Sequence, residues 1–598
     1  MKYGPQELAA IHGRMQAGDL AGALVAIDGA VEADPNNASA WHLAGVIRRR
    51  AGQSAAAANA LEKAVAHGLA NAELFNSLGL AWQDANQRKA ALAAYDKALE
   101  EDARYEPAAV NRARLLTELG RWRESEQALR DILAANPGSS LARNALAATL
   151  RETHRSTEAA DESRKVLERE PANKVATIRL GQALCDIGDS AGAVEHYGKQ
   201  GPNLAAAPEF QESFAAALVN DGQTEAARQR LEQLVAAAPA YFPAHRALAR
   251  LGKEFFSAEN PYASYRALVT QWPQEPSIWI DWLSLLLSFR EHDMIVDLAD
   301  EASRHVGRQP AVDYFRGIAL SELGRATEAE TLFAAVEAEF STRSDFLIAR
   351  ARNALRLGQP DRTEALASQV TSENPRDQFG WAYLSLAWRL QDDPREFWLH
   401  DYETQVRQSA VPHLEDAASR DELVETLRGI HKAMHHPPDQ TLRGGTQTMG
   451  SLFTRQEPSI ARLRESILGC IADYSAALPD DREHPFYSRK SADAIIKGSW
   501  SVRLKSDGFH VMHLHEQGWV SSALHLVLPP ADGEDPTRGA LVLGAPPAEL
   551  ELDLEPRRVV APEAGKLVLF PSSMWHGTIP FQSGAERLTV AFDAVPAA

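Results

Sequence analysis

The chain predicts an all-α solenoid of helical hairpins followed by an all-β domain of the double-stranded β-helix (jelly-roll) type with flanking helices. Three observations carry this. Small residues and helix terminators recur at a 34-residue spacing through the first two thirds of the sequence. Short apolar segments bounded by turn residues replace that pattern from about residue 485 onward. At 598 residues, the chain is also too long for one compact core. The expected division is 1–395 for the solenoid and 396–598 for the second domain, with a helical part at 396–484 and a jelly roll at 485–598.

The repeat is legible in three ladders. Ala23, Ala57, Ala91, Ala159, Ala193 and Ala227 stand 34 residues or a multiple of 34 apart, with Ser125 on the missing rung. Gly18, Gly52, Asn86, Gly120, His154, Gly188 and Gly222 form the second ladder, and Pro35, Pro137, Pro171, Pro239 and Pro273 the third. Gly324, Gly358, Ala329 and Pro375 return in the same phase after a blurred stretch. Each rung has a physical reason. A glycine or asparagine ends the first helix of a pair in a left-handed conformation at little steric expense. The alanine five residues later lets two helices approach closely, and the proline closes the second helix where a missing N–H does no harm. Leu78-Gly79 and Leu180-Gly181 mark first helices; Tyr95 and Tyr197 fill a large apolar slot on the second helix that Leu61 fills one repeat earlier.

These ladders resemble the tetratricopeptide repeat family over residues 4 to 375, about eleven units. The pattern is weakest at 240–310, where Trp272, Trp279 and Trp282 cluster and the glycine rung holds Phe256 and Arg290. The resemblance implies a stacked superhelix that binds a peptide or protein along its groove, with a purely structural spacer as the alternative.

Composition narrows the functional classes. A formal net charge of −19 disfavours non-specific contact with nucleic acid or an anionic membrane surface. The two cysteines, Cys185 and Cys470, lie far apart and outside any CxxC pattern, which suits a reducing compartment and argues against a zinc ribbon. Residues 1–18 lack the pattern of a secretory signal, and no run of 18 apolar residues suggests a membrane span, so a cytoplasmic location is the expectation.

Beyond Pro375 the reading stays helical through Trp381, Trp388 and Trp398 and from 412 to 478, where Ile460, Leu463, Ile467 and Ile471 keep helical spacing, with Pro437-Pro438 and Gly444-Gly445 as loops. Strands are expected at Ser499–Leu504, Val520–Leu528, Ala540–Leu543, Lys566–Phe570 and Arg587–Phe592, separated by turn clusters such as Asp532-Gly533 and Ser583-Gly584. The all-β candidate with such spacing is the jelly roll or cupin type.

The chemistry-bearing residues cluster here. Gly508-Phe-His-Val-Met-His-Leu-His515 holds three histidines in six positions. On a regular strand His513 and His515 share a face and His510 points away. His576 follows 63 residues after His513, beyond the strand Lys566–Phe570. Three imidazoles, two from one segment and one from another, suit iron(II) and leave open positions on one side. Arg587 opens the last expected strand, and a guanidinium offers a carboxylate two parallel donors; Thr589 lies on the same strand face.

Seven stretches together resemble the family of 2OG-Fe(II) oxygenase domains that follow tetratricopeptide repeats: Leu442–Gln447, Ser499–Leu504, Gly508–His515, Gly518–Ser521, Gly565–Ser572, Trp575–Gly577 and Arg587–Thr589. The resemblance covers roughly residues 400 to 598. It implies a jelly-roll core, bound Fe(II), 2-oxoglutarate as co-substrate with its distal carboxylate on Arg587 and Thr589, and hydroxylation. The wider superfamily pairs its first histidine with an aspartate or glutamate two residues on, whereas that slot here is His515. Either His513, His515 and His576 form an all-histidine set, or Glu516 swings in as a ligand, or metal binding is lost. Two further alternatives follow: a repeat scaffold with a degenerate jelly roll, and a cupin-like dioxygenase that uses no 2-oxoglutarate. His510, His525, the loop residues His435-His436, Arg503 and the tryptophans Trp500, Trp519 and Trp575 read most simply as packing, surface or pocket-wall residues.

Overall fold

The computed structural model describes residues 4–257, 260–529, 537–581 and 585–597. The expected turns at Asp532-Gly533 and Ser583-Gly584 lie outside the described residues. The chain divides into two compact units, Met1–Arg179 and Leu180–Ala598. Among the described residues, no helix is long and apolar enough to cross a membrane.

The first unit is built from antiparallel helix pairs such as Ala38–Arg50 with Ser54–Ala66 and Ala72–Asp84 with Arg88–Glu101. Here the ladders acquire their geometry. Ala23, Ala57, Ala91 and Ala159 are fully buried, and so is Ser125, whose hydroxyl donates to the Ala113 carbonyl at 2.7 Å. A Cβ added at Gly79 would lie 2.4 Å from Tyr95 Cε1, so the absent side chain on one helix is the space the tyrosine occupies. Gly45 receives Leu61 in the same way.

The second unit continues the hairpins from Pro208–Asp221 to Gln378–Leu390 and then adds the β domain. Backbone geometry holds where the sequence pattern fades. Gly222, Arg290, Gly324, Gly358 and Asp392 all have positive φ, at 87°, 59°, 76°, 67° and 55°. Arg290 thus adopts the left-handed turn that the repeat demands even without a glycine. The exception is the rung at 256. There helix Phe242–Leu251 runs into a π-helical turn, Gly252–Phe256, and Ser257 takes the left-handed conformation at φ 46°.

Nine strands are found among the described residues: β1 (Arg407–Ala410), β2 (Leu442–Gln447), β3 (Ala494–His510), β4 (Val520–Val527), β5 (Leu541–Leu543), β6 (Arg558–Val560), β7 (Lys566–Pro571), β8 (His576–Thr578) and β9 (Arg587–Pro596). They form a six-stranded antiparallel sheet in the order β1-β7-β4-β9-β3-β2 and a three-stranded one in the order β6-β5-β8. The region read as helical before residue 485 therefore also supplies two strands, β1 and β2. β1 is only four residues long. β2 carries Gly444 and Gly445 and shifts register between Arg443 and Gly445, so neither shows the alternation that betrays a strand.

Period-two alternation sorts β9 between two environments. Leu588, Val590 and Phe592 face a core shared with helices Ala417–Ile430 and Pro458–Ala477, where Ile460, Leu463, Ile467 and Ile471 are fully buried as their spacing predicts. Arg587, Thr589, Ala591 and Asp593 line a cavity on the opposite face. The last repeats pack directly on this domain: Tyr383, Leu386 and Trp388 share a core with Leu514, Leu550 and Trp575.

Candidate metal and anion site

The three histidines converge. One ligand nitrogen from each of His513, His515 and His576 lies within 4.8 Å of the others. His513 is held by an isolated antiparallel bridge to His576, with reciprocal backbone hydrogen bonds of 2.8 and 2.9 Å, and the His515 N–H donates to the Ser572 carbonyl at 3.2 Å. Two segments distant in sequence are thus locked together by backbone bonds. His510 departs from the alternation expected of a regular strand. β3 ends at His510 and the chain bends at Met512, so its ring turns toward the site, lines the same cavity and stacks 6.0 Å from His513. Its Nδ1 lies 3.3 Å from the Thr441 hydroxyl. Glu516 stands in the exposed turn that follows, outside the three-nitrogen cluster.

The outward-facing ring nitrogens decide what the inner ones can do. Nδ1 of His513 lies 2.7 Å from the Val511 carbonyl, Nδ1 of His576 3.0 Å from the Met574 carbonyl, and Nδ1 of His515 2.6 Å from Asp593 Oδ2. Each acceptor fixes a proton on Nδ1 and leaves the Nε2 lone pair free, the tautomer a metal ligand needs. Burial, then the neighbouring imidazoles, push the His513 pKa well below its usual value; burial and His515 do the same for His576. Nε2 of His513 and His515 are 3.1 Å apart. Two neutral lone pairs at that distance repel one another, whereas ligands about 2.1 Å from one metal at tetrahedral or octahedral angles sit about 3.0–3.4 Å apart. The donor set fits a divalent transition metal.

Asp593 is the residue that sequence reasoning missed. It orients His515 through Oδ2 while Oδ1 accepts from the Ser521 hydroxyl at 2.7 Å, and Ser521 meets Ser572 at 2.8 Å. Gly518 permits this packing, since a Cβ there would fall 2.2 Å from Ser572 Oγ. The signal lay in the alternation of β9: Asp593 is the third site-facing residue after Arg587. Trp500 stacks on the His515 ring with centroids 5.5 Å apart, which makes it a wall of the site.

A second feature shares the cavity, whose volume is about 440 Å³. Arg587 is 2% exposed, and neither its Nε nor its Nη1 has a partner among the described residues. Its remaining nitrogen, Nη2, approaches His525 Nδ1 at 3.4 Å. Burial pulls its pKa down to about 10, still cationic at neutral pH. Buried N–H groups without acceptors are rare because each is expensive to desolvate. A cation buried in this way, beside Thr589, leaves donors open to an anion. His525 pairs with Thr589 across β4 and β9; burial, with Arg587 adding to it, lowers its pKa to about 3. Its Nε2 is also buried without a partner among the described residues. Arg503, by contrast, lies at the surface and pairs with Glu586 at 2.5 Å. His435 and His436 lie in a loop, and Trp519 and Trp575 are buried with their indole N–H groups on backbone carbonyls.

Residues 498–593 match the family model described as "Putative 2OG-Fe(II) oxygenase", and residues 83–149 match a tetratricopeptide repeat model. No curated protein matches the chain significantly. Among solved structures, a tetratricopeptide repeat protein from Parabacteroides merdae ATCC 43184 is 18% identical over 39% of this chain and 92% of its own, with a TM-score of 0.34. YrrB, a TPR protein with an unusual peptide-binding site, is 23% identical over 28% of this chain and 88% of its own, with a TM-score of 0.25. The Cut9–Hcn1 hetero-tetramer of the APC/C is 13% identical over 65% of this chain and 84% of its own, with a TM-score of 0.28. Likenesses this distant carry no further argument. The chain thus bears tetratricopeptide repeats and, C-terminal to them, a domain that matches the 2OG-Fe(II) oxygenase family.

Proposed function

We propose that the C-terminal domain is an iron(II)- and 2-oxoglutarate-dependent oxygenase, a hydroxylase acting on a peptide or protein presented by the repeats. The observation that carries this reading is the pairing, in one cavity, of three inward-facing imidazoles with a buried, unpartnered guanidinium. His513, His515 and His576 would hold iron(II) through Nε2, and their Nδ1 acceptors keep each ring in the required tautomer and orientation. Iron(II) with a bound 2-oxo acid supplies the oxidising chemistry with O₂. Arg587 would offer its unpartnered N–H groups to the distal carboxylate of 2-oxoglutarate, and the Thr589 hydroxyl would add a donor. Burial makes that ion pair stronger than it would be in water. Asp593 holds the proton on His515 Nδ1 and supplies negative charge near the centre in place of a carboxylate ligand.

The second reading is an all-histidine dioxygenase that takes no 2-oxoglutarate. The lack of a carboxylate in the converging set favours it, but it leaves the two unpartnered nitrogens of Arg587 without a purpose. Incubation with iron(II), 2-oxoglutarate and O₂ distinguishes the two. Succinate release above the level of a His576→Ala control supports the oxygenase; full iron loading with no 2-oxoglutarate consumed moves the second reading to the front.

A further inference from the structure

Beside the site lies a second cavity of about 350 Å³, within the size range of ligand pockets. The two share a wall made of Asp439, Gln440 and Gln447. Its other walls come from the repeats, with Ala215, Ala216 and Val219 of helix Pro208–Asp221 and Arg250, Leu251, Glu254 and Phe255 at the π-helical turn, and from the segments flanking β2, with Pro437 and residues 448–450. This is the one rung among the described repeats where a π-helical turn interrupts the hairpin pattern, and the blurred sequence begins here. π-Helical turns are rare and gather at functional sites.

The interruption is braced from outside. The Glu254 carbonyl accepts from the N–H groups of Met434 and His435 at 3.3 and 3.2 Å, His435 Nε2 meets the Ser257 hydroxyl at 2.6 Å, and Arg250 grips Asp439 with two bonds of 2.8 Å. The loop 432–440 is thereby pinned between the repeat and the site. What the brace leaves over is the Glu254 carboxyl, on a residue only 5% exposed. Its one ion-pair contact among the described residues is a long one, 3.4 Å to Arg250, whose guanidinium is already committed to Asp439. Burial raises its pKa to about 7, so ionisation there calls for a cation better placed than Arg250. Around it the wall is mostly apolar, suited to a methylene stem. Gln440 and Gln447, at the junction with the site, make no side-chain hydrogen bond among the described residues. A carboxamide presents both a donor and an acceptor, which is what an extended peptide unit requires.

We propose that this cavity is a specificity pocket for a lysine or arginine side chain of a polypeptide substrate, with Glu254 as its counter-charge, placing a neighbouring residue at the three imidazoles. The inference rests on the oxygenase reading and specifies its substrate class: a cationic peptide segment lying between the repeat helices and the β2 loop. The net acidic character of the chain is in keeping with such a partner.

The test uses the full-length protein and a degenerate decapeptide library, N-acetylated and C-amidated, passed over the immobilised protein at pH 8. The retained pool should be enriched in lysine and arginine at one position, and Glu254→Gln should reduce that enrichment roughly tenfold. Because Glu254→Gln alters a buried site, Ala216→Phe serves as a second variant: Ala216 is exposed and lines the cavity, so the ring fills it without disturbing a core. It should abolish the enrichment as well. A pool without basic enrichment, or one unchanged in both variants, overturns the proposal. Both variants should still bind iron(II) and 2-oxoglutarate. Enrichment that depends on Glu254 in a protein that binds no iron would sink the oxygenase reading while leaving the pocket standing.

Discussion

The repeat hairpins and the histidine site store their information in opposite ways. In the repeats, one backbone conformation recurs at the 34-residue spacing, the π-helical rung at 256 apart, and is met by glycine, by Asn86, by His154 and by Arg290 alike. Identity matters little because helix packing on both sides enforces the turn. In the site, each side chain has a single role, and the partners sit tens of residues apart: His515 with Asp593, His513 with His576, His525 with Arg587. Redundancy lets a repeat blur without losing its shape, whereas a site of this kind tolerates no substitution silently.

The sharpest way to break the comparison is Arg587→Met. A long apolar side chain removes a buried cation with unpartnered donors, so the ligand-free protein should gain stability by about 1–3 kcal/mol, read as a higher Tm. The same variant should bind 2-oxoglutarate far more weakly, read by calorimetry. Gain of stability with loss of binding is the signature of a group kept for function. Next is Asp593→Asn, which leaves a side chain of the same size but removes the charge behind His515. Metal affinity should fall by roughly 10–100-fold in a cobalt(II) competition titration, with little change in the Tm of the metal-free protein.

The legibility of the sequence follows the same division. Periodic information was readable: the alanine rungs are buried, the glycine rungs have positive φ, and Ile460, Leu463, Ile467 and Ile471 line one helix face. The three imidazoles and Arg587 were readable as residue types in strand context, and they meet in one cavity. Alternation misled at His510, because a strand end and a bend at Met512 reset the side-chain direction. It would have found Asp593, two steps past Thr589 on the same face of β9. The strands β1 and β2 escaped notice because four residues, or a bulged Gly-Gly pair, hold no period to detect.

Smaller effects belong to the repeats. Gly79→Ala should lower stability by about 1–3 kcal/mol, because its Cβ would lie 2.4 Å from the Tyr95 ring, which is fully buried. Chemical denaturation measures this directly. Arg290→Gly should do the reverse: relief of a left-handed arginine, partly offset by greater chain entropy when unfolded, should raise stability by about 0.5–1 kcal/mol. A loss at Arg290→Gly would mean that this rung depends on its side chain after all, and that the repeats are less redundant than they look.

The most direct test of the account is an anaerobic titration of the full-length protein with iron(II) and then 2-oxoglutarate, followed by visible absorption, with His576→Ala and Arg587→Met as controls. The account predicts the weak charge-transfer band of an iron(II)–2-oxo acid complex in the wild type, no band in His576→Ala, and a band in Arg587→Met only at far higher 2-oxoglutarate. A wild-type protein that binds no iron, or that forms the same band without His576, would contradict it.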